Sequence, residues 1–282
     1  MKLQYLGTAA AEGWPGLFCR CPACREAARR GGKNLRTRSQ AILDDTLLLD
    51  FCPDTLMHMY LYGVDLPEIK HCLITHTHED HFYTDDLKMR CPWFANDVDE
   101  VPFTLYGNDA MVARMEQLRQ AERGEVFTLG IDWRELKEYE AVEIGGYRVT
   151  PTIAKHNPQE KCFNYVIEKD GKALFYGHDS SLFEESVWPH FAGHRFDLVS
   201  LDCTMLQRGP AVTHMNIGQC VLVRQRMLEM GCADEHTLFC INHFSHNGAI
   251  DAQGKVWLHE ELVPFMADRG FMVSYDGMAV EF

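Results

Sequence analysis

The sequence predicts an α/β fold in which two packed β-sheets are flanked by helices. Three observations carry this expectation. The first third of the chain is rich in short strands joined by hairpin signals. From about residue 182 onward, strand patterns alternate with helical ones. No repeat, low-complexity stretch or Ser/Pro/Gly-rich linker divides the 282 residues, so residues 1–282 read as one domain with a large core. Hairpins followed by alternating strands and helices suit two packed sheets better than one parallel sheet.

The elements follow in order. Residues 2–6 alternate as a strand, and a long loop comes next. Gln40-Ala41-Ile42-Leu43 and Thr46-Leu47-Leu48-Leu49 flank Asp44-Asp45, a hairpin turn. Residues 53–62 form a short helix opened by Pro53, and Ile69 to Thr75 reads as a buried strand. Residues 103–106 suggest a strand, and Asp109 is the expected N-cap of a helix through about residue 122. Residues 126–153 return to strands with Gly145-Gly146 as a turn, and 163–167 and 173–176 flank a turn at Lys169-Asp170-Gly171-Lys172. Beyond these the pattern gives a helix at 182–192, a strand at 196–201, a helix at 216–230, a strand at 237–241 and a helix at 256–269. Tyr275-Asp276-Gly277 closes a last hairpin.

Composition narrows the function classes. The hydrophobic and charged fractions, 46% and 24%, are ordinary for a globular protein. No apolar run is long enough to span a bilayer, and the first residues lack the features of a signal peptide, so a cytoplasmic protein without membrane partners is expected. Lys and Arg total 27 and Asp and Glu total 41, a net charge of −14. Gripping a long polyanion depends on neutralising phosphates with basic side chains. A small-molecule substrate is therefore expected rather than long nucleic acid, and a homodimer is allowed for.

The chemistry concentrates in Thr75-His76-Thr77-His78-Glu79-Asp80-His81, directly after an apolar strand. Imidazoles at alternate positions of an extended segment project the same way, so His76 and His78 can share one metal ion. Asp80 and His81 follow in the turn and can reach a neighbouring second ion. Two ions roughly 3.5–4 Å apart can share a hydroxide that attacks an electrophilic centre while they neutralise the charge that grows on it. No Ser–His–Asp arrangement competes with this reading.

The His-x-His-x-Asp-His pattern after a buried strand resembles the signature of the metallo-β-lactamase superfamily of hydrolases. That resemblance implies a four-layer αββα sandwich and further ligands downstream, each after its own strand. His156, Asp179 and His243 occupy such positions in the right order. The implied arrangement puts His76, His78 and His156 on one metal and Asp80, His81 and His243 on the other, with Asp179 bridging them. His-rich ligation with two carboxylates accepts zinc, manganese or iron, with zinc or manganese expected.

A second metal site is expected from Cys19-Arg20-Cys21-Pro22-Ala23-Cys24. Cysteines this close pair poorly with each other, and a tetrahedral zinc is the natural consumer of three thiolates. A structural zinc loop at about 13–30 would need one more ligand, for which His246 is the candidate. Which of His243 and His246 serves which metal stays open, although the one directly after the strand better suits the catalytic site.

Leu6-Gly7-Thr8-Ala9-Ala10-Ala11-Glu12-Gly13, the cysteine loop and the Asn242-His243-Phe244-Ser245-His246 tail together resemble one subgroup, that of the phosphoribosyl cyclic phosphodiesterases of phosphonate (carbon–phosphorus lyase) metabolism. A protein of pyrroloquinoline quinone biosynthesis has a similar cysteine loop. The subgroup implies hydrolysis of a small, cyclic phosphodiester by the bridging hydroxide, with Asp80 and Asp179 in the catalytic centre. It also implies that His214, in Thr213-His214-Met215-Asn216, protonates the leaving oxygen. An ester, thioester or lactone hydrolase on the same metals, and a non-catalytic carrier of the same fold, are the rival readings. Among other residues, His190 and His194 read as surface, His178 and Asp202 as candidates to support the site, and Trp14, Phe82, Tyr83 and Trp93 as candidates to line a pocket.

Overall fold

The computed structural model describes residues 1–98, 101–121, 130–209 and 211–282. Among these residues the strands form two seven-stranded sheets. The first runs, in spatial order, β14 (Ala279–Glu281), β1 (Lys2–Gly7), β2 (Gln40–Leu43), β3 (Leu47–Leu49), β4 (His71–Leu73), β5 (Phe103–Gly107) and β6 (Ile131–Glu135). The second runs β13 (Met272–Val273), β12 (Leu238–Asn242), β11 (Leu198–Asp202), β10 (Lys172–Gly177), β9 (Phe163–Lys169), β8 (Tyr147–Ile153) and β7 (Val142–Ile144). Both sheets mix antiparallel hairpins with parallel neighbours, as β3 with β4 and β10 with β11 and β12 show.

Strand periodicity explains why the sheets stack. Successive side chains point to opposite faces, so Leu174 and Tyr176 of β10 join Tyr165, Ile167, Leu3, Tyr5 and Leu49 in the core between the sheets. Their neighbours Ala173 and Phe175 face outward into a second core, covered by α1 (Pro22–Arg30), α5 (Ile217–Glu229) and α6 (His259–Ala267). On the far side of the first sheet, Ile42, Leu48, Cys72 and Leu105 pack against Met111, Met115 and Leu118 of α4 (Asp109–Ala121). The layers are helix, sheet, sheet, helix, the four-layer αββα sandwich of the metallo-β-lactamase fold.

The turns fall where the sequence places them, for a backbone reason. Asp44-Asp45, Gly145-Gly146 and Asp170-Gly171 each put two consecutive residues at positive φ, between 49° and 85°. That left-handed pair suits the twist of a tight hairpin, and Gly and Asp tolerate it better than most residues.

Elsewhere local pattern is overridden. The helix expected at 182–192 is a run of turns with a single 3₁₀ segment, Trp188–Phe191. Its apolar spacing is real, since Phe183, Val187, Trp188 and Phe191 all enter the outer core, but the three aromatic rings do so edge to face on one another rather than along a helix face. The expected C-terminal hairpin is absent. β13 pairs with β12 and β14 pairs with β1, so Tyr275-Asp276-Gly277 carries the chain from one sheet to the other. The cap of α4 is Asn108, whose Oδ1 accepts from Met111 N at 2.8 Å, and Asp109 is the first helical residue. α2 (Thr55–Tyr62) begins after Pro53, with Asp54 at its N-cap. α6 is shorter than the expected 256–269, starting only after Leu258. Residues 126–129 of the expected strand region lie outside the described residues. No described helix is long and apolar enough to cross a membrane.

The two sheets are tied to each other at one edge. Phe163 N donates to Thr75 O at 2.8 Å and the Tyr165 hydroxyl donates to Ile74 O at 2.6 Å. The strand ends that matter for function meet here. Leu174 lies in the intersheet core and is fully buried, so Leu174→Ala should destabilise the protein by about 2–5 kcal/mol. Chemical denaturation of the two proteins would measure the difference, and an unchanged midpoint would contradict the packing described.

Candidate metal centre and active site

The polar residues at this edge sit at or just beyond the ends of apolar strands. Asp50 follows β3, Asp202 ends β11, His243 follows β12, and Asp179 comes two residues after β10. Asp50, Asp179 and His243 all have left-handed backbone, with φ of 66°, 54° and 61°. A chain turning sharply off its strand is how these side chains are aimed into the space between the sheets. The strand before the histidine motif is short, His71–Leu73; Ile74 N still donates to Tyr106 O at 2.8 Å, and Thr75 N then turns to the Asp50 carboxylate at 2.8 Å.

Two donor groups form around one carboxylate. In the first, His76 Nε2 and His156 Nε2 lie 2.9 and 3.0 Å from His78 Nδ1, and His76 Nε2 is 3.3 Å from Asp179 Oδ2. In the second, His81 Nε2 lies 3.0 Å from Asp179 Oδ2, 3.3 Å from His243 Nε2 and 3.4 Å from Asp80 Oδ2. His243 Nε2 is 3.5 Å from the same Asp179 oxygen. Asp179 is therefore common to both groups, each of which could hold a metal ion.

The donor chemistry fits such ions. His78 Nδ1 faces two other ring nitrogens at hydrogen-bond distance, and one N–H cannot serve both contacts. Lone pairs converging on one point suit a cation, and tetrahedral ligands roughly 2.0–2.1 Å from zinc lie about 3.3 Å apart. Asp179 Oδ1 is buried without a hydrogen-bond partner among the described residues. The carboxylate is ringed by imidazoles. Burial opposes its ionisation, yet His243, His214 and His81 hold it well below the usual carboxylate range.

A second tier orients the rings. Asp50, fully buried, accepts from His81 Nδ1 at 2.7 Å and from the Thr75 hydroxyl at 2.9 Å. Thr204 Oγ1 lies 2.8 Å from His243 Nδ1 and donates to Asp202 at 3.0 Å. A carboxylate behind a ligating imidazole fixes its tautomer and raises its basicity. Asp202 also lies 3.0 Å from His214 Nδ1, and His214 Nδ1 is 3.1 Å from Asp179. Burial disfavours a charged His214, but the charge and hydrogen bond of Asp202 and the nearby Asp179 carboxylate outweigh it and push its pKa up to about 11.

The cysteine loop lies on the other side of His243. Cys19, Cys21 and Cys24 come together with His246, whose Nδ1 is 3.6 and 3.5 Å from the Cys19 and Cys21 sulfurs. Backbone N–H groups of Gly16, Cys21 and Cys24 point at the three sulfurs at 3.3–3.4 Å; the hydrogen bond from Cys21 N lowers the Cys19 thiol, while burial pushes the Cys24 thiol up. No disulfide joins the described cysteines. His243 thus faces the histidine cluster and His246 faces the thiols.

The remaining residues sort themselves. Asp202 supports the site, as described. His178 does not reach it, being bonded to Ser200 and Asn242 between strands. His190 stacks on Tyr139, and His194 pairs with Glu168. Tyr83 lines a cavity of about 580 Å³ that opens onto His78 and Asp80, together with Ala11, Arg38, Pro53 and Glu79. Phe82 and Trp14 are core, and Trp93 is 72% exposed away from this cavity. Sequence reading missed Asp50 and Thr204. Asp50 carried a signal, since it too ends an apolar strand run; Thr204 carried none.

Residues 45–230 match the family model of the beta-lactamase superfamily domain. The chain belongs to that family. No curated protein sequence matches it. Among solved structures, a diphosphatase from the PhnP family is similar with a TM-score of 0.75 and 21% identity, covering 100% of this chain and 97% of that one. Zinc-bound PqqB from Methylobacterium extorquens is similar with a TM-score of 0.68 and 18% identity, covering 100% of both chains. The short form of human tRNase Z gives 0.63 and 14%, covering 100% of this chain and 99% of its own. At these identities the likeness is one of fold.

The carboxylate behind His81 supplies a test. Asp50→Asn keeps the shape but removes the charge, and metal should be held roughly 10–100-fold less tightly. Metal content after dialysis against a graded chelator series would show this, and wild-type retention by the variant would contradict the role given to Asp50.

Proposed function

We propose that this chain is a metal-dependent hydrolase of small phosphodiesters. The observation that carries the reading is Asp179, one buried carboxylate shared by two groups of imidazoles. His76, His78 and His156 would hold one ion and Asp80, His81 and His243 a second, with Asp179 between them; Cys19, Cys21, Cys24 and His246 would hold a structural zinc. Divalent ions in such a pair supply a nucleophile from water near neutral pH and neutralise charge on the reacting phosphoryl group. Zinc and manganese both suit the donor set.

The chain's own residues do the rest. Hydrolysis puts the oxygen of water on phosphorus, breaks the bond to the leaving oxygen and requires a proton there. His214 stands beside Asp179 with Nδ1 held by Asp202, which leaves Nε2 to deliver that proton. The cavity bounded by Arg38, Pro53, Glu79 and Tyr83 has room for a small substrate next to His78 and Asp80. The net charge of −14 disfavours long nucleic acid. The similar diphosphatase of the PhnP family supports a phosphoryl rather than an acyl substrate.

Metal-loaded protein should hydrolyse bis(p-nitrophenyl) phosphate, and Asp179→Ala should abolish turnover. His214→Ala should lower kcat by about 10²–10⁴ on a diester with an alkyl leaving group, where protonation matters most. On the p-nitrophenyl diester, whose leaving group needs little help, the loss should be much smaller. Cleavage of carboxylic esters or thioesters with no phosphodiester turnover would overturn the proposal.

A further inference from the structure

Glu160 lies outside every strand and ligates nothing, yet its carboxylate is tied to both halves of the three-histidine group. Thr77 Oγ1 donates to it at 2.9 Å and Thr77 N at 3.1 Å. Asn157 Nδ2 donates at 3.2 Å and Asn108 Nδ2 at 2.9 Å. Thr77 is the residue between His76 and His78, and Asn157 is the residue after His156. One side chain therefore bonds to the immediate chain neighbours of all three imidazoles. Asn108 connects the assembly to the scaffold, because it caps α4 through Met111 N and also donates to Lys161 O.

The three-histidine group needs such a tie more than its partner does. His81 and His243 are oriented directly, by Asp50 and Thr204 at 2.7 and 2.8 Å. His76 and His156 have weaker ring partners, Thr75 Oγ1 at 3.1 Å and Thr213 O at 3.3 Å. The Nδ1 of His78 points into the cluster, and among the described residues its ring nitrogen is hydrogen-bonded to no group outside it. What fixes this ring is the backbone that carries it.

We infer that Glu160 is the positioning residue of the His76–His78–His156 site, setting its geometry by clamping Thr77 to Asn157. The inference rests on the reading of those histidines as metal ligands. The chemistry of the clamp requires a carboxylate. All four groups that meet Glu160 donate hydrogen bonds, and an ionised carboxylate is an acceptor at every lone pair. A glutamine there would turn its own NH₂ toward one of these donors, so Glu160→Gln breaks the clamp with almost no change in size.

The test compares the full chain and Glu160→Gln, each loaded with cobalt as a spectroscopic stand-in. Bound cobalt per chain is measured against a chelator series, with the visible absorption bands recorded. The wild type should hold a pair of ions at the histidine cluster. The variant should release one of them at about tenfold lower chelator concentration, in line with supporting residues of metal sites, and its visible bands should shift. The thiolate-to-cobalt absorption of the cysteine site should stay, reporting an intact fold. Asn157→Ala and Thr77→Val remove one donor each and should move the same readings in the same direction by less. Equal affinity and identical spectra for wild type and Glu160→Gln would overturn the role of Glu160 and leave the metal site standing. A wild type that binds no cobalt at the histidines would overturn the site and this inference with it.

Discussion

A buried negative charge dictates the arrangement of this protein. Asp179 is 3% exposed, and a carboxylate at that depth is tolerable only when opposite charge or strong donors surround it. Five histidines from four segments stand within 3.5 Å of its oxygens, namely His76 and His81 of one motif, His156, His214 and His243. To deliver them, strands of both sheets must end at the same edge and the sheets must be tied there. The tie between Phe163 and Thr75, the turn of Thr75 toward Asp50 and the short β4 all serve that requirement.

What was legible in the sequence depends on how far apart the interacting residues lie along the chain. The His76–His81 motif is self-contained, so its density of donors speaks for itself. The hairpin turns at Asp44, Gly145 and Asp170 are equally local, being questions of backbone φ. His156, Asp179 and His243 carry meaning only through their order behind the motif. Asp50, Thr204 and Glu160 act on partners 31, 39 and 83 residues away, and a lone Asp, Thr or Glu in a loop looks like any other. The two failures of local pattern have the same origin. Leu182, Phe183, Val187 and Phe191 have spacing compatible with a helix, yet a shared aromatic cluster buries them without one. Asp276-Gly277 has the residues of a hairpin turn, yet the strands on either side belong to different sheets.

The histidine cluster and the cysteine loop are mechanically one unit. His243 and His246 are three residues apart, and the segment between them is held from the other side of the molecule: Phe244 N donates to Thr8 O and Ala10 N donates to Phe244 O. The start of the chain, which carries the cysteines, is thus pinned at the same place as a residue of the histidine cluster. Ser245 adds a link to Glu12 in the same stretch. Disturbing the thiol loop would therefore be felt at His243 without any direct contact between the two centres.

The left-handed backbone at Asp50, Asp179 and His243 reaches beyond geometry into which amino acids could ever replace them. Few side chains other than glycine settle at positive φ, and Asn, Asp and His are the ones that do so most readily, whereas β-branched residues are excluded. The peptide backbone therefore acts as a sieve ahead of any demand made by the chemistry. Drift or laboratory evolution toward a different ion has Asp, Asn and His to exchange at these corners. Threonine, valine and isoleucine are closed to it, and so the repertoire of centres this scaffold can host is narrowed by the shape of its strand ends.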